Sequence, residues 1–389
     1  MKFNSICSAG FGLLFLIMAA CSSDQREVVP PSDSFVMGAD LSYVNQLLDF
    51  GGQYADASGT PQDPYALFAD IGTDWVRLRL WHDPLWTRDI YGNAGTQMYS
   101  DLEDVKLAAL KAKNQGMEVL LDIHYSDTWA DPGQQELPAA WARLSLNEVE
   151  QKVEEYTYQV LAEMQAAGCL PLAVQVGNEI NTGMLFPHGA LFPEGSGTAN
   201  PEGLRKMLIA GLKGIARAED AFGVEIQSVI HCAQPEHTDW FFSTVFGNAP
   251  LDFDILGVSF YPAGSSRSIA DMGNAIRNLK SKYAKEVMVL EVAYPWTLDY
   301  ADHNNNILWA DDLINGYPAS PEGQLTFFRD FCQEVKSAGG SGVIYWEPGW
   351  ISTDAKTPGG KGSAWENATF FDFKNENRLL PIREVFGEF

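Results

Sequence analysis

Short apolar runs alternate with longer amphipathic segments along most of the chain, starting near residue 35. The short runs are apolar at successive positions, which is typical of strands that are buried on both faces. The longer segments repeat their apolar residues with the period of a helix, and some end before a glycine. The predicted strands are residues 35–40, 75–80, 117–123, 172–176, 224–230, 255–260, 287–290 and 342–346. The predicted helices are residues 64–71, 102–115, 146–167, 202–222, 238–246, 269–283 and 321–338.

This alternation predicts the fold class. Eight strand–helix units in roughly 350 residues fit an α/β fold, a single (β/α)8 TIM barrel with long loops after its strands. Residues 370–389 supply the eighth helix only weakly. A doubly wound open sheet is the alternative, but it would need a glycine-rich phosphate loop after the first strand. The segment Gly38-Ala39-Asp40-Leu41 lacks that pattern.

The N-terminal segment has the pattern of an export signal. Lys2 precedes an apolar run over residues 6–20, which is short for a membrane span and has the length of a signal-peptide core. Because small residues stand directly before Cys21, we predict a lipoprotein signal over residues 1–20, a lipid on Cys21, a polar tether over 21–34 and the barrel domain over 35–389. We expect an exported protein, anchored to a bacterial membrane only through this lipid. An ordinary secretory signal that contains a cysteine is the alternative.

Charge and cysteine spacing exclude several partners. The 389 residues include 26 Lys and Arg against 51 Asp and Glu, a formal net charge of -25. Nucleic-acid binding needs a surplus of basic residues, and adhesion to an anionic lipid surface needs a basic patch, so we expect neither partner. Cys169, Cys232 and Cys332 match no zinc spacing and are predicted to be free, buried thiols. No segment indicates oligomerisation, and we expect a monomer.

Polar side chains follow most of the predicted strands at the point where each strand ends. In a barrel these ends meet at one mouth, where the reactive groups of the fold lie. Charge directly after an apolar strand is costly unless it is paired or functional, so charges at matching positions predict a functional site. A ring of ion pairs that only closes the mouth is the alternative. The set is Asp40, Arg77, Arg79, Trp81, His82, Asp122, His124, Asn178, Glu179, His231, Tyr261, Glu291, Trp346 and Glu347.

Glu179 and Glu291 follow the fourth and seventh predicted strands, which face each other across the mouth of a closed barrel. Glycoside cleavage needs two such carboxyl groups, one to protonate the leaving oxygen and one to attack the anomeric carbon. A separation of about 5 Å would give retention through a glycosyl-enzyme intermediate. We expect Glu291 to be the nucleophile, because Arg77 and Tyr261 can hold it ionised. Glu179 then needs a raised pKa to act as the acid before it returns as the base.

Aromatic residues supply the predicted binding surface. Pyranose rings can stack their apolar C–H faces on such side chains, and tryptophans collect at or beyond the strand ends. Trp346 is the best candidate for the floor of the cleaved subsite, and burial in the core is the alternative for each tryptophan. Asn178 is predicted to donate a hydrogen bond to a sugar 2-hydroxyl. The acidic net charge favours a neutral polysaccharide over an anionic one.

Longer motifs give the sequence a resemblance to a known family. The stretch Ser126-Asp127-Thr128-Trp129-Ala130-Asp131-Pro132 is the most specific, whereas the pair Asn178-Glu179 marks a larger barrel superfamily. With these motifs the sequence resembles the arabinogalactan endo-β-1,4-galactanases, glycoside hydrolase family 53, over about residues 36–373. The matching segments are residues 38–42, 76–81, 121–132, 177–180, 257–262, 291–295 and 345–350.

The resemblance implies a (β/α)8 fold and a retaining enzyme that cleaves internal β-1,4-galactosidic bonds of galactan or type I arabinogalactan. It implies Glu179 as acid/base and Glu291 as nucleophile. It also favours Arg77 over Arg79 as the arginine that faces the nucleophile, which the residues alone do not separate. The residues expected to contact the galactan are Asp40, Arg77, His124, Asp127, Trp129, Asn178, His231, Tyr261, Trp296 and Trp346.

The loop over residues 298–307, after Glu291, concentrates oxygen donors, a composition that suits a hard cation. Its spacing does not match an EF-hand, and by itself it indicates a solvated loop. Bacterial members of the resembled family carry a calcium ion here, so the resemblance implies a structural Ca²⁺ beside Glu291, and no organic cofactor. The implied ligands are Asp299, Asp302, His303, Asn305 and Ile307, of which His303 and Ile307 would contribute backbone carbonyls.

Two alternative functions stay open. The first is a β-1,4-glycanase of the same superfamily that acts on mannan, xylan or glucan, with the same catalytic pair and different subsite loops. The second is a non-catalytic lipoprotein that binds glycans for uptake, although binding alone needs no opposed carboxyl groups. Val292-Ala293 is not the commonest family variant, and the long loop over residues 352–367 leaves the product length open.

Overall fold

Eight parallel strands close into a barrel in the computed structural model of this protein, which confirms the predicted fold class. The structure describes residues 1, 35–90, 97–247, 249, 251–262, 268–357 and 360–389. The predicted signal, tether and lipid site at Cys21 lie outside the described residues. The barrel strands are β1 (Val36–Asp40), β2 (Trp75–Leu80), β3 (Glu118–Ile123), β4 (Ala173–Val176), β5 (Gln227–Ala233), β6 (Ile255–Phe260), β7 (Glu286–Val292) and β8 (Gly342–Tyr345).

Each strand pairs with its neighbours along the chain, and β1 closes the ring on β8 with Val36 opposite Gly342 and Ala39 opposite Tyr345. Helices cover the outside between the strands. They are α1 (Val44–Asp49), α2 (Pro64–Asp70), α3 (Trp86–Ile90), α4 (Leu102–Asn114), α5 (Leu146–Ala166), α6 (Glu202–Phe222), α7 (Pro235–Phe246), α8 (Ile269–Tyr283) and α9 (Pro321–Ser337). None of the helices in the described residues is long and apolar enough to cross a membrane.

Shorter elements fill the loops. The 3-10 helices are Ala139–Trp141, Ala310–Asp312, Phe373–Asn375 and Pro381–Glu388, and the last of these takes the place of the weakly predicted eighth helix. It packs on α9, where Arg329 pairs with Glu388 at 2.6 Å. Three two-stranded hairpins join Gly183–Met184 with Gly189–Ala190, Lys356–Thr357 with Gly360–Lys361, and Phe371–Asp372 with Arg378–Leu379.

Local chemistry fixes where several helices begin and end. The Asp101 side chain caps α4 by accepting a hydrogen bond from the Asp104 backbone N–H at 3.0 Å. Ser268 caps α8 in the same way, with Asp271 completing a capping box. Gly223 ends α6 with a φ of 69°, in the left-handed region that glycine adopts at low cost.

The predicted fifth strand is displaced. The sequence prediction placed it at residues 224–230, whereas β5 spans Gln227–Ala233. The apolar residues Val224 and Ile226 misled the prediction, because they precede the strand and pack against the outer core. The consequence is that His231 lies inside the strand rather than at its end.

An apolar plug fills the barrel interior. Its members come from seven of the strands: Trp75, Leu120, Ala173, Val229, Ile255, Met288, Leu290 and Ile344. On β1, Gly38 leaves room for Ile344, since a Cβ at Gly38 would lie 2.7 Å from that side chain. Side chains alternate between the two faces of a strand, so the residues two positions after the plug also point inward. These are Arg77, Asp122, Gln175, His231 and Ser259 (two after Gly257), and they form a polar layer directly above the plug.

Candidate active site

A buried arginine organises the polar layer. The Arg77 guanidinium lies 2.9 Å from Asp40 and 2.9 Å from Glu291 through Nη1, and 2.8 Å from Asp122 through Nη2. Nη2 also donates to Asn178 Oδ1 at 2.8 Å, and Nε donates to Gln175 Oε1 at 3.2 Å. One side chain on β2 therefore holds groups from β1, β3, β7 and the end of β4 in fixed positions. Arg77, and not Arg79, contacts Glu291.

The backbone turns sharply after β4 and directs Glu179 into the barrel mouth. Gly177 and Glu179 both have positive φ, at 79° and 44°. For a glutamate this conformation is strained by about 1–2 kcal/mol, and such strain is typically retained at functional sites. Ser259 on β6 donates to Glu179 Oε1 or accepts from it at 2.6 Å.

The two glutamates predicted from the strand ends converge. Glu179, Glu291 and His231 each offer an oxygen or nitrogen, and these atoms lie within 4.8 Å of one another. The Tyr261 hydroxyl donates to Glu291 Oε2 at 2.7 Å. A metal ion is a poor occupant for this triad, because the Arg77 cation already contacts Glu291.

The two carboxyl groups have different electrostatic surroundings. Burial, and then the charge of Glu291, raises the pKa of Glu179 to about 8. Burial also raises the pKa of Glu291, but Arg77 and the Tyr261 hydroxyl oppose this shift. The predicted lowering of the Glu291 pKa by Arg77 is thus present and is outweighed by burial. When the pair shares one proton, Glu179 holds it, since the cation lies beside Glu291.

Burial disfavours the charged form of the two histidines behind the carboxyl groups. Burial lowers the pKa of His231 well below its ordinary value, and Arg77 adds to the shift. Burial likewise lowers the pKa of His124, whose Nε2 lies 3.0 Å from Asp122. Burial disfavours the Asp122 carboxylate, but Arg77 and His124 outweigh it, so the pKa of Asp122 is lowered.

Aromatic rings line the cavity above the carboxyl pair. The cavity has a volume of about 790 Å³, and Trp346 lies between Trp365, at 4.7 Å between ring centroids, and Trp129, at 6.3 Å. Arg79 stacks on Trp129 at 4.1 Å and pairs with the buried Glu347 at 3.3 Å. The second strand-end arginine therefore supports the aromatic wall rather than the carboxyl pair.

The predicted site residues divide into two sets. Those that line the cavity are Arg77, His124, Trp129, Asn178, Glu179, Tyr261, Glu291 and Trp346. Asp40, Asp127, His231 and Trp296 are not among the lining residues. Asp40 and His231 lie beneath the cavity, bonded to Arg77 and Asn178. Asp127 accepts from the backbone of Asp83 and Ala139, and the buried Trp296 donates to the Glu366 carbonyl at 3.0 Å.

The two aspartates among the predicted calcium ligands are bonded to protein groups. Asp299 pairs with Lys374 at 2.5 Å. Asp302 accepts hydrogen bonds from the Asn304 and Ser363 backbone N–H groups at 2.6 and 2.8 Å and from the Ser352 hydroxyl. Asn305 and Ile307 line the cavity above the carboxyl pair, while His303 lines a neighbouring one. Both aspartates thus have protein partners, and calcium stays a prediction from the family resemblance.

Sequence reasoning missed several residues of the site. Gln175 and Ser259 lie within apolar strands, and a polar residue inside a buried strand was the available signal. Ser259 also precedes Tyr261 by two positions, so the strand alternation places both on the inner face. Gln234 directly follows β5 and would have been found as a strand-end residue if that strand had been placed correctly. Asn304 reaches the cavity from a long loop whose sequence has no period.

A closed (β/α)8 barrel with two carboxyl groups opposed below one aromatic-walled cavity is the arrangement of a glycoside hydrolase. Residues 36–386 match the family described as Glycosyl hydrolase family 53. The chain is 44% identical over 354 residues to the arabinogalactan endo-beta-1,4-galactanase of Cellvibrio japonicus, covering 91% of this chain and 90% of that protein. It is 30% identical to the endo-beta-1,4-galactanase of Bacillus subtilis, covering 90% and 80%. The chain belongs to glycosyl hydrolase family 53.

A solved structure supports the same assignment. The Ignisphaera aggregans GH53 catalytic domain matches with a TM-score of 0.80 at 35% identity, over 90% of this chain and 95% of that one. The resemblance inferred from the motifs is therefore confirmed at the level of the family.

The raised pKa of Glu179 predicts a pH-dependent cost to stability. Its folded value of about 8 exceeds the ordinary 4.5, so the unfolded chain loses this proton first as the pH rises. The stabilisation that the protonated Glu179 side chain gives the folded state is complete below pH 4.5 and is lost as the pH rises through about 8. Glu179→Gln keeps the group neutral, and we expect it to melt close to the wild type at pH 4 and several degrees higher at pH 8. Thermal unfolding across this range measures the difference.

Glu118→Gln is the matched control, because Glu118 begins β3 at the opposite end of the barrel and is largely exposed. It should melt like the wild type at both pH values. The raised pKa of Glu179 would be contradicted if the melting temperature of Glu179→Gln, relative to the wild type, did not rise between pH 4 and pH 8.

Proposed function

We propose that this protein is an endo-β-1,4-galactanase that cleaves internal bonds of galactan or type I arabinogalactan with retention of configuration. The observation that carries the mechanism is the separation of the Glu179 and Glu291 oxygens, which is at most 4.8 Å. Retaining glycosidases hold their carboxyl groups about 5 Å apart, whereas inverting enzymes need room for a water between them. The galactan specificity rests on the two bacterial galactanases to which the chain is similar.

The roles of the two carboxyl groups follow from their neighbours. Glu291, held by Arg77 and Tyr261, attacks the anomeric carbon and forms the glycosyl-enzyme. Glu179 protonates the leaving glycosidic oxygen and then, as a carboxylate, takes a proton from the water that releases the sugar. The Asn178 amide donates to the Ala130 carbonyl at 2.8 Å, so its reach toward a sugar 2-hydroxyl stays a prediction.

Removing the nucleophile separates binding from cleavage. Glu291→Ala should reduce galactan hydrolysis by at least about 10⁴-fold, because no covalent intermediate can form, and should leave galactan affinity within a few-fold. Reducing-sugar release measures the first quantity and titration calorimetry the second. Glu286→Gln is the control at the other end of β7, where the residue pairs with Lys280, and should retain full activity.

A panel of β-glycans tests the substrate. We expect reducing-sugar release from β-1,4-galactan and little from mannan, xylan or glucan. Activity on mannan without activity on galactan would favour the other β-1,4-glycanases. Galactan binding by a wild type that never cleaves would favour a non-catalytic glycan-binding protein.

We also propose export and anchoring through a lipid on Cys21, on the pattern of residues 1–21. The full chain expressed in a bacterium should fractionate with membranes and release into detergent. Cys21→Ser should move it to the soluble exported fraction. Cys169→Ser, which removes a buried thiol of the barrel, is the control and should not change the fractionation. A wild type found only in the soluble fraction would contradict the anchor.

The calcium prediction needs a direct measurement. If an ion pins the loop over residues 298–307, then EDTA should lower the melting temperature by several degrees and added Ca²⁺ should restore it. Magnesium at the same concentration is the control and should not restore it. If the loop is instead held by the Asp299–Lys374 pair and the bonds of Asp302, neither reagent should change the melting curve.

A further inference from the structure

A buried hydroxyl connects Glu179 to a histidine that the mechanism above does not use. Ser259 Oγ lies 2.6 Å from Glu179 Oε1 and 2.8 Å from His231 Nε2. Neither Ser259 nor His231 is accessible to solvent. A serine hydroxyl has one hydrogen, so it can donate to only one of these two neighbours at a time.

The far side of the histidine fixes which ring nitrogen carries its hydrogen. Asn178 Nδ2 donates to the Ala130 carbonyl at 2.8 Å, and this bond sets the orientation of the amide. Asn178 Oδ1 therefore faces Arg77 and also His231 Nδ1, at 2.9 Å. An amide oxygen only accepts, so the hydrogen between Asn178 and His231 belongs to Nδ1.

Competing donors near Nδ1 are directed elsewhere or lie farther away. Gln175 Nε2 is 3.2 Å from Nδ1, but its shorter contacts go to Asp122 Oδ1 at 2.6 Å and to the Gly177 carbonyl at 2.9 Å. The Glu179 backbone N–H is 3.4 Å from Nδ1. The contact with Asn178 is the shortest of the set and determines the tautomer.

The hydrogen on His231 Nδ1 determines where the hydrogens of Ser259 and Glu179 lie. His231 is neutral, so a hydrogen on Nδ1 leaves Nε2 as an acceptor. Ser259 must then donate to His231, and its oxygen faces Glu179 with lone pairs. The 2.6 Å contact to Glu179 is then satisfied only when Glu179 carries a proton. A Ser259 hydroxyl that donates to Glu179 instead lowers the pKa of that carboxyl group, but it leaves His231 Nε2 without its donor.

We propose that Ser259 and His231 are positioning residues that favour the protonated form of Glu179 and orient its proton between catalytic steps. The proposal rests on the acid/base role proposed above for Glu179. In the acid state the hydrogen bonds run from Glu179 to Ser259, from Ser259 to His231 Nε2, and from His231 Nδ1 to Asn178. Ionisation of Glu179 reverses the Ser259 hydroxyl and leaves the buried Nε2 of His231 without a donor, which is unfavourable for a buried acceptor.

The network does not change which groups exchange protons in the catalytic step. Glu179 gives its proton to the glycosidic oxygen as that oxygen takes the electron pair of the broken bond to the anomeric carbon, and Glu291 forms the new bond. A half-turn of the Glu179 carboxyl group brings its protonated oxygen to the sugar and its bare oxygen to Ser259. Ser259 then donates to the carboxylate, and it turns back when Glu179 recovers a proton from the attacking water. No proton leaves Ser259 or His231.

The first test observes the histidine directly in the wild type. In a ¹⁵N-histidine-labelled protein, long-range ¹H–¹⁵N spectra should show His231 with its hydrogen on Nδ1 at pH 6, and its signals should change as the pH rises through the ionisation of Glu179. In Glu179→Gln the side-chain amide can donate to Ser259 at every pH, so the signals should not move. His231 with its hydrogen on Nε2 at pH 6 would overturn the proposal.

The comparison of the wild type with Glu179→Gln also controls for the other charges near Glu179 and His231. Arg77, Glu291 and Asp131 act on Glu179, and Arg77, Asp122 and His124 act on His231. These groups are present in both proteins, so a change that persists in Glu179→Gln would belong to them and would also overturn the proposal.

The second test uses leaving groups. Ser259→Ala should lower kcat/KM on galactan, which needs an acid, by about tenfold or more. It should leave kcat/KM on a dinitrophenyl β-galactobioside, whose leaving group needs no proton, within about twofold. Equal losses on both substrates, or no loss on galactan, would overturn the proposal.

Ser228→Ala is the matched control. Ser228 lies on β5 at the opposite end of the barrel, where its hydroxyl donates to Asp254 at 2.8 Å, and its loss should leave both rates unchanged. Failure of the proposed function would be visible separately, as a wild type that does not cleave galactan, and the tautomer measurement does not depend on cleavage.

Discussion

The Arg77 guanidinium is the interaction on which the rest of the site depends. It is almost fully buried, and it contacts three carboxyl groups and two amide oxygens from four of the surrounding strands or their ends. A buried cation is tolerable only when its donors are all paired, and buried carboxylates are tolerable only near a cation. Each of these groups therefore makes the others possible. Stability and catalytic geometry rest on the same set of contacts.

That cation does not balance the charge around it. Three carboxyl groups contact Arg77, and Glu179 adds a fourth carboxyl group to the site. Burial, and then the charge of Glu291, raises the pKa of Glu179, and the charge of Arg77 opposes this shift only in part. The buried position of Glu179 and the neighbouring carboxyl group of Glu291 together make Glu179 the acid. The positive φ of Glu179 belongs to the sharp turn after β4 that directs its carboxyl group into the mouth.

The sequence predicted the barrel because its strands are buried on both faces and therefore appear as continuous apolar runs. The one displaced strand, β5, failed where apolar loop residues extended such a run, as Val224 and Ile226 do. Glu179 and Glu291 could be found because they are polar residues at the ends of predicted strands, and Arg77 because it is a charged residue within a predicted buried strand. His231 and Trp296 show the limit of that argument, since a strand-end or nearby position does not reveal whether a side chain enters the cavity or packs beneath it. The loop residues Asn305 and Ile307 could not be placed, because a long loop has no period from which its path can be derived.

The apolar plug and the polar layer above it have a consequence for how such an enzyme can diversify. Inside the barrel the residues of the apolar plug pack as one cluster, so a change at one of them requires compensation at others. The rim, by contrast, is built by chain segments such as the one that carries Asn304, Asn305 and Ile307, which contact the cavity while lying outside this interlocked set. New specificities can therefore arise through insertions and substitutions in the rim loops, while the catalytic residues below them stay unchanged. The barrel interior therefore determines the reaction, and the rim determines the substrate.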